Sequence, residues 1–198
     1  KRSAPFIPLI RSEAWAEEAK KRGLNNFKTT PEALDAFVTE SAKKLFLNNG
    51  VYSERELEAR HEILLEDYVK KVQIEARILG YMATNHVLPA AINYQNVLVD
   101  NVKGLKDLGL GEASYKAQLN LLKVLSSHIQ EINDNVESMI EARKKANNTE
   151  DMHKRASMYC HEVKTHFEKI RYHADKLELI VDDKLWPLPK YRELLYLR

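Results

Sequence analysis

The stretch SERELEARHEILLEDYVKKVQIEARILGYM, residues 53–82, decides the fold. Ser53 and Glu56 stand three apart ahead of an apolar run, the spacing of a capping box in which each side chain satisfies an orphan backbone donor of the other. Behind that cap Leu57, His61, Leu64, Tyr68, Val72, Glu75, Leu79 and Met82 recur three and four residues apart. That is the period of one helix face, and no alternation of strand type competes with it. The pattern predicts a helix over 54–88, followed by a kink or break at Pro89. The proline ring clashes with the carbonyl of Asn85 and supplies no N–H.

The same period returns on both sides of this stretch. Thr30-Pro31, an N-cap and a first helical residue, opens a helix over 31–48 that Gly50 stops. A shorter helix over 90–107 ends at the turn Gly109-Leu110-Gly111. Leu119, Leu122, Leu125, Ile129, Ile132, Val136 and Met139 mark a helix over 112–147. Asn147-Asn148-Thr149 breaks it and caps a last long helix over 150–181, with Ala156, Tyr159, Val163, His166, Ile170 and Leu177 on its stripe. At 1.5 Å per residue the three long segments each reach roughly 50 Å, and short turns make neighbours antiparallel. The fold class is therefore all-α: a bundle of three long helices (54–88, 112–147, 150–181) with shorter flanking helices and a Pro89 kink. Residues 1–30 read as a lead-in, extended at Pro5-Phe6-Ile7-Pro8, with a short helix between a Ser12 cap and Gly23. Residues 31–198 read as the bundle domain, closed by a proline-containing clip over 185–198.

Composition narrows the function classes. The 198 residues carry a formal charge of only +2, with the two signs interspersed. No basic run exceeds three residues, and Arg143-Lys144-Lys145 fits a helix end completing its dipole rather than a nucleic-acid footprint. A single cysteine, Cys160, excludes an intrachain disulfide and suits a reducing compartment. No apolar run approaches the roughly 18 residues of a membrane span. The expectation is a cytoplasmic protein with neither nucleic acid nor membrane as partner. Because the chain starts at Lys1 rather than Met, it reads as a piece of a longer polypeptide.

Four groups of residues bear on chemistry. His161 and His166 imitate a zinc-protease motif, but with one residue too many between them. At about 100° per residue they fall about 140° apart on a helix, and His166 sits on the apolar stripe. Glu58 with His61 and Glu150 with His153 are both Glu-x-x-His, half of a di-metal bundle site. The helix over 112–147 meets that level with Arg143-Lys144-Lys145, where a further carboxylate is needed. Asn85, His86, Asn93 and Asn96 gather with Gln95 around Pro89. They form either a ligand or subunit contact face or the groups that satisfy carbonyls freed by the kink. Cys160 and His161, adjacent on a helix, point about 100° apart and form no thiol–imidazole pair by themselves. The reading is a chain with no catalytic, cofactor-binding or metal residue of its own. Trp186, Tyr191 and Tyr196 are its expected exposed docking anchors.

Longer strings carry more. Ala59-Arg60-His61-Glu62-Ile63-Leu64-Leu65-Glu66-Asp67-Tyr68, followed by Ile74-Glu75-Ala76, resembles a signature stretch of the type III glutamine synthetases. So do Leu88-Pro89-Ala90-Ala91-Ile92-Asn93-Tyr94-Gln95, the segment from Ala174 to Leu177-Glu178, and Trp186-Pro187-Leu188-Pro189-Lys190-Tyr191-Arg192-Glu193. Thr29-Thr30-Pro31-Glu32-Ala33-Leu34 resembles the lead-in to the same region. The resemblance covers nearly the whole chain and implies the C-terminal helical region of such an enzyme, lying after its catalytic domain. It further implies a parent that joins ammonia to glutamate with ATP and Mg2+ or Mn2+ and assembles as stacked six-membered rings, a dodecamer. None of the family's glutamate, nucleotide or metal ligands has a matching position here, which places the catalytic machinery upstream of Lys1. On this reading the chain serves ring assembly or stability, with regulation as a further role, and its partners are its own catalytic domain and sister subunits. The alternatives are a free-standing helical metallo-bundle and a helical protein-interaction module.

Overall fold

A computed structural model describes residues 13–195, without the side chains of Glu13, Tyr191 and Arg192. The expected lead at Pro5–Pro8, the Ser12 cap and Tyr196 lie outside the described residues. Among the described residues every regular element is helical. The chain forms two compact units that divide between Leu64 and Leu65.

The first unit begins with α1 (Glu13–Lys21), which Gly23 ends at φ 70°. The helix expected over 31–48 is instead two. α2 (Thr30–Asp35), with Pro31 buried in its first turn, passes through a tight turn at Ala36–Val38, and α3 (Glu40–Asn48) follows. Thr39 is the cause of the break. Its backbone is extended (φ −64°, ψ 151°), and its hydroxyl both accepts from the Ala42 N–H (3.4 Å) and donates to the Ala36 carbonyl (3.0 Å). A short side-chain hydroxyl that can serve two helix ends competes with helix continuation, so the run stops and restarts. Phe37 and Phe46 stack across this break with centroids 6.3 Å apart.

The capping box forms as read. The Ser53 N–H donates to Glu56 Oε2 at 2.8 Å, and the Glu56 N–H reaches Ser53 Oγ at 3.4 Å. Those bonds from Ser53 hold the Glu56 carboxyl below the usual range. From the box springs α4 (Glu54–Met82), which continues into the second unit.

Pro89 does not end the helical run, so the helix expected over 90–107 is present but continuous with the one before it. α4 runs through one wide π turn, Ala83–Val87, directly into α5 (Leu88–Asp107), an uninterrupted helical run of 54 residues. In the wide turn the Leu88 N–H donates five residues back, to Ala83, so Pro89 arrives where the ladder is already re-spaced. Thr84 Oγ1 and Asn85 Nδ2 turn back on the carbonyls of Gly80 (2.9 Å) and Tyr81 (3.1 Å). Gly109, at φ 77°, makes the turn that follows. After a short 3₁₀ turn comes α6 (Lys116–Asn147). The last long helix starts at α7 (Met152–Met158), widens at a second π turn (Tyr159–Val163) and ends as α8 (Thr165–Ile180). Its N-cap is Asp151, whose Oδ1 accepts from the Lys154 N–H at 2.6 Å, rather than Asn147-Asn148-Thr149. A final short helix, α9, spans Tyr191–Leu195.

Within the second unit α6 is the shared partner of the other two helices. Gln73 reaches Asn147 (3.2 Å), Gln95 reaches Ser126 (2.8 Å) and Gln118 reaches Asn101 (3.2 Å). From Gln73 to Asn101 the first helix advances 28 residues while its partner positions retreat 29, from Asn147 to Gln118, so the antiparallel register is kept straight past Pro89. Between these rungs the core closes over Val72, Ala76, Val136, Met139 and, from the last helix, Val163, Ile170 and Leu177. Leu57 and Val72 of α4 are buried as read, but elsewhere the buried stripe is turned by one position from the sequence reading. Leu65 and Ala76 are inside, whereas Leu64 and Glu75 are exposed. Gly80 lies so close to α6 that a Cβ there would meet Met139 Cε at 3.4 Å.

One contact joins all three helices. Asn147 Oδ1 accepts from Gln73 Nε2 on α4 and from the hydroxyl of fully buried Tyr159 (2.6 Å) in the second π turn. Tyr159→Phe should cost about 1 kcal/mol, the net worth of an ordinary hydrogen bond. Asn147→Ala should cost more, up to about 3 kcal/mol, because it removes the shared acceptor of both the buried Tyr159 hydroxyl and Gln73. Urea unfolding of the two variants followed by circular dichroism gives that order directly.

Candidate functional site

The polar residues around Pro89 lie on one side of the first long helix, where Asn85, Pro89, Asn93 and Asn96 are exposed. Asn85 Nδ2 is used locally, on Tyr81 O and on Thr84 Oγ1 (3.1 Å each). His86 is half-buried with its ring edge against Tyr81, centroids 5.5 Å apart. The side chains of Asn93 and Asn96, with Ile92 and Val97 nearby and exposed, make a mixed polar and apolar face.

The C-terminal clip behaves differently from its sequence reading. Trp186 was expected as an exposed anchor, yet it is 8% exposed and belongs to the core of the second unit. Leu185 and Trp186 donate their N–H groups to the Asp182 carbonyl, folding the segment back, while the Lys190 ammonium bonds the Glu178 carbonyl (2.9 Å) and Asp183. The bulky indole is thereby held in a segment folded back toward the end of α8, and it is removed from water. The side chain of Tyr191 and the whole of Tyr196 fall outside what is described.

The two Glu-x-x-His motifs sit in different units. In the first, Glu58 and Glu54 share the Lys43 ammonium at 3.2 Å each, and these bonds hold the lysine above its ordinary range. His61 Nε2 meets Asp35 Oδ1 at 3.1 Å. In the second, Glu150 and His153 are exposed around the Asp151 cap. Among the described residues no three His, Cys, Asp or Glu side chains converge as a metal-holding group. His161 is exposed and His166 half-buried, its Nδ1 3.1 Å from Asn135 Oδ1 on α6. Burial, then Lys169, lowers the pKa of His166. Cys160 is half-buried beside Tyr68, whose phenol is pushed up by burial first and by the thiol second.

Two features escaped sequence reasoning. The first is a groove of about 590 Å3 in the second unit, walled by Ile78, Met82, Phe167 and Leu188 and shared by two acidic and two basic side chains. The second is a pair of histidines, His128 on α6 and His173 on α8, with their Nδ1 atoms 2.8 Å apart. Its signal was present: each imidazole stands three residues after and four before a buried aliphatic of its stripe, Leu125 and Ile132 for one, Ile170 and Leu177 for the other.

Comparison with known proteins agrees with the strings quoted above. A family model described as the glutamine synthetase C-terminal domain matches residues 11–106. The chain is 41% identical over 189 residues to a glutamine synthetase of Bacteroides fragilis, covering 93% of this chain and 26% of that protein. It is 36% identical over 191 residues to the type-3 glutamine synthetase of Dictyostelium discoideum (93% and 25%), and 29% identical over 185 residues to a glutamine synthetase of Butyrivibrio fibrisolvens (93% and 26%). The chain thus spans about a quarter of the length of the curated relatives it matches.

The burial of Trp186 has a direct readout. Trp186→Ala should destabilise the isolated chain by about 3–5 kcal/mol, as for a large aromatic removed from a core. An anchor waiting for an external partner would leave the urea midpoint of the isolated chain unmoved.

Proposed function

We propose, on the premise that this chain carries the C-terminal domain of the glutamine synthetases, that it is the accessory helical region of an ATP-dependent glutamate–ammonia ligase and serves the assembly and stability of its ring. The observation that carries this reading is the coverage. Nearly all of the chain, 93%, aligns at 41% identity with only a quarter of an enzyme of that name. The rest of such a polypeptide is then the place for the nucleotide, glutamate and Mg2+ or Mn2+ chemistry. Among the described residues no three His, Cys, Asp or Glu side chains come together. No reaction step is assigned to this chain.

The partners on this reading are its own catalytic region and sister subunits of a homo-oligomeric ring, a dodecamer. The Pro89 face with Asn85, His86, Asn93 and Asn96 is the proposed contact surface. It combines exposed amides with exposed Ile92 and Val97 on a helix whose opposite side is fixed to α6. A cytoplasmic location belongs to the same proposal. No helix of the described residues is long and apolar enough to cross a membrane.

Two measurements test it. The purified 198-residue chain should form no glutamine from glutamate, ammonia and ATP; turnover would overturn the division of labour. In the full-length ligase, Ile92→Asp with Val97→Asp should lower the native mass below that of the ring, because two charges enter a contact built partly from apolar surface. An intact ring in that variant would remove the Pro89 face as the contact.

A further inference from the structure

His128 and His173 face each other across the α6–α8 seam, each part-buried, with Nδ1 to Nδ1 at 2.8 Å. Seven residues along, the seam has a second rung, Asn135 with His166. The step from His128 to Asn135 on α6 matches the step from His173 back to His166 on α8. Buried Ile132 and Ile170 lie between the two rungs in sequence. The histidine pair is thus set into the packed seam and not onto a free surface.

Two imidazoles in this geometry have a limited capacity for protons. At 2.8 Å one Nδ1 must carry a hydrogen and the other must offer a lone pair. With both rings neutral that condition is met by opposite tautomers. One added proton is still accommodated, because it can reside on an outer Nε2 while the inner bridge survives. A second added proton makes every ring nitrogen an N–H, and two donors then point at each other. We propose that the His128–His173 pair is an acid-sensitive clasp between α6 and α8, closed while it holds at most one added proton and driven open by the second.

The surroundings favour this arrangement. Glu131, on α6, lies 4.0 Å from the outer nitrogen of His173, and its charge acts to raise the pKa of His128. Against a second charge stand Lys176, on α8, and the burial of His128 itself; burial first, then His173 and Lys176, lowers the His128 pKa. Tyr172 packs its ring at right angles to His173, and Lys176 lies over the Tyr172 ring. The other helix packed on α6, α5, carries no Asp, Glu, Lys or Arg from Leu88 to Val99, the part level with His128. Glu131 is thus the carboxylate that faces the pair.

The direction of the effect follows. An unfolded chain takes up the His128 proton near the ordinary value of 6.5, and the folded chain only at lower pH. Between those values the unfolded state binds more protons, so stability falls as pH falls through that window. The test is a side-chain nitrogen NMR titration of the whole 198-residue chain, with urea midpoints measured at about pH 7.5 and about pH 5. The expected result is two separate proton uptakes by the pair, the second below 6.5, and a midpoint that drops on acidification. Each pH unit of that displacement appears as about a tenfold change in the folding equilibrium. His128→Gln, which keeps a donor and acceptor but cannot charge, should show a smaller drop, while His166→Gln should retain the two-step titration of the pair. Uptake of the second proton at or above 6.5, or an equal midpoint drop in His128→Gln and the parent, overturns the clasp. If His128→Gln does not fold, the titration of the unsubstituted chain decides alone.

Discussion

The amide of Asn147 is the point on which the second unit turns. Its oxygen takes one hydrogen bond from Gln73 and one from Tyr159, so three helices that are far apart in sequence are fixed at a common level. Helices held only by aliphatic side chains can slide by a turn at modest cost, because one apolar face fits another in several ways. A polar group with defined partners removes that freedom at some expense in stability. From that level the rungs toward the first long helix keep nearly one-for-one spacing along α6, and toward α8 the Asn135–His166 and His128–His173 rungs keep equal steps with each other. Ile132, Val136, Met139, Val163 and Ile170 then fill the volume between.

The two wide turns belong to the same constraint. A long helix that keeps contact with a neighbour must keep its face pointed inward, and a proline in its middle threatens this. Residues 83–87 solve the problem by re-spacing the backbone ladder before Pro89 arrives, with Thr84 and Asn85 closing on carbonyls behind them. Residues 159–163 contain no proline, but they bring Tyr159 inward to Asn147 and are followed by Thr165 bonding the Glu162 carbonyl. These are therefore not weak points in the helices. Each is where a polar contact with α6 or a local carbonyl is satisfied.

Most of the architecture was legible because it rests on local rules. The Ser53–Glu56 box, the Gly50 and Gly109 stops and the three-four stripe of α6 each depend on neighbours within a turn, and each formed as read. What depended on tertiary partners was not legible. At the middle of α4 two candidate stripes one position apart compete, and contact with the rest of the second unit selects Leu65 and Ala76 over Leu64 and Glu75. Thr39 looked like an ordinary helix residue because its capping role depends on the carbonyl of Ala36 and the amide of Ala42 being free together. Trp186 seemed a surface anchor because a proline-flanked aromatic near a terminus has no periodic pattern to show which way it turns. The histidine pair was readable only as two imidazoles on apolar stripes; that they meet needs the register of α6 and α8.

The ladders also constrain how such a sequence can change in length. A residue inserted or deleted in the middle of α6 would put rungs out of phase on two faces at once, toward the 54-residue run and toward α8. The connections at 108–115 and 148–151 lie outside both ladders, so length can be gained or lost there without putting either ladder out of phase. In this unit the two connections are the places where a change of length leaves the ladders in phase, and the helices between them behave as fixed-length parts.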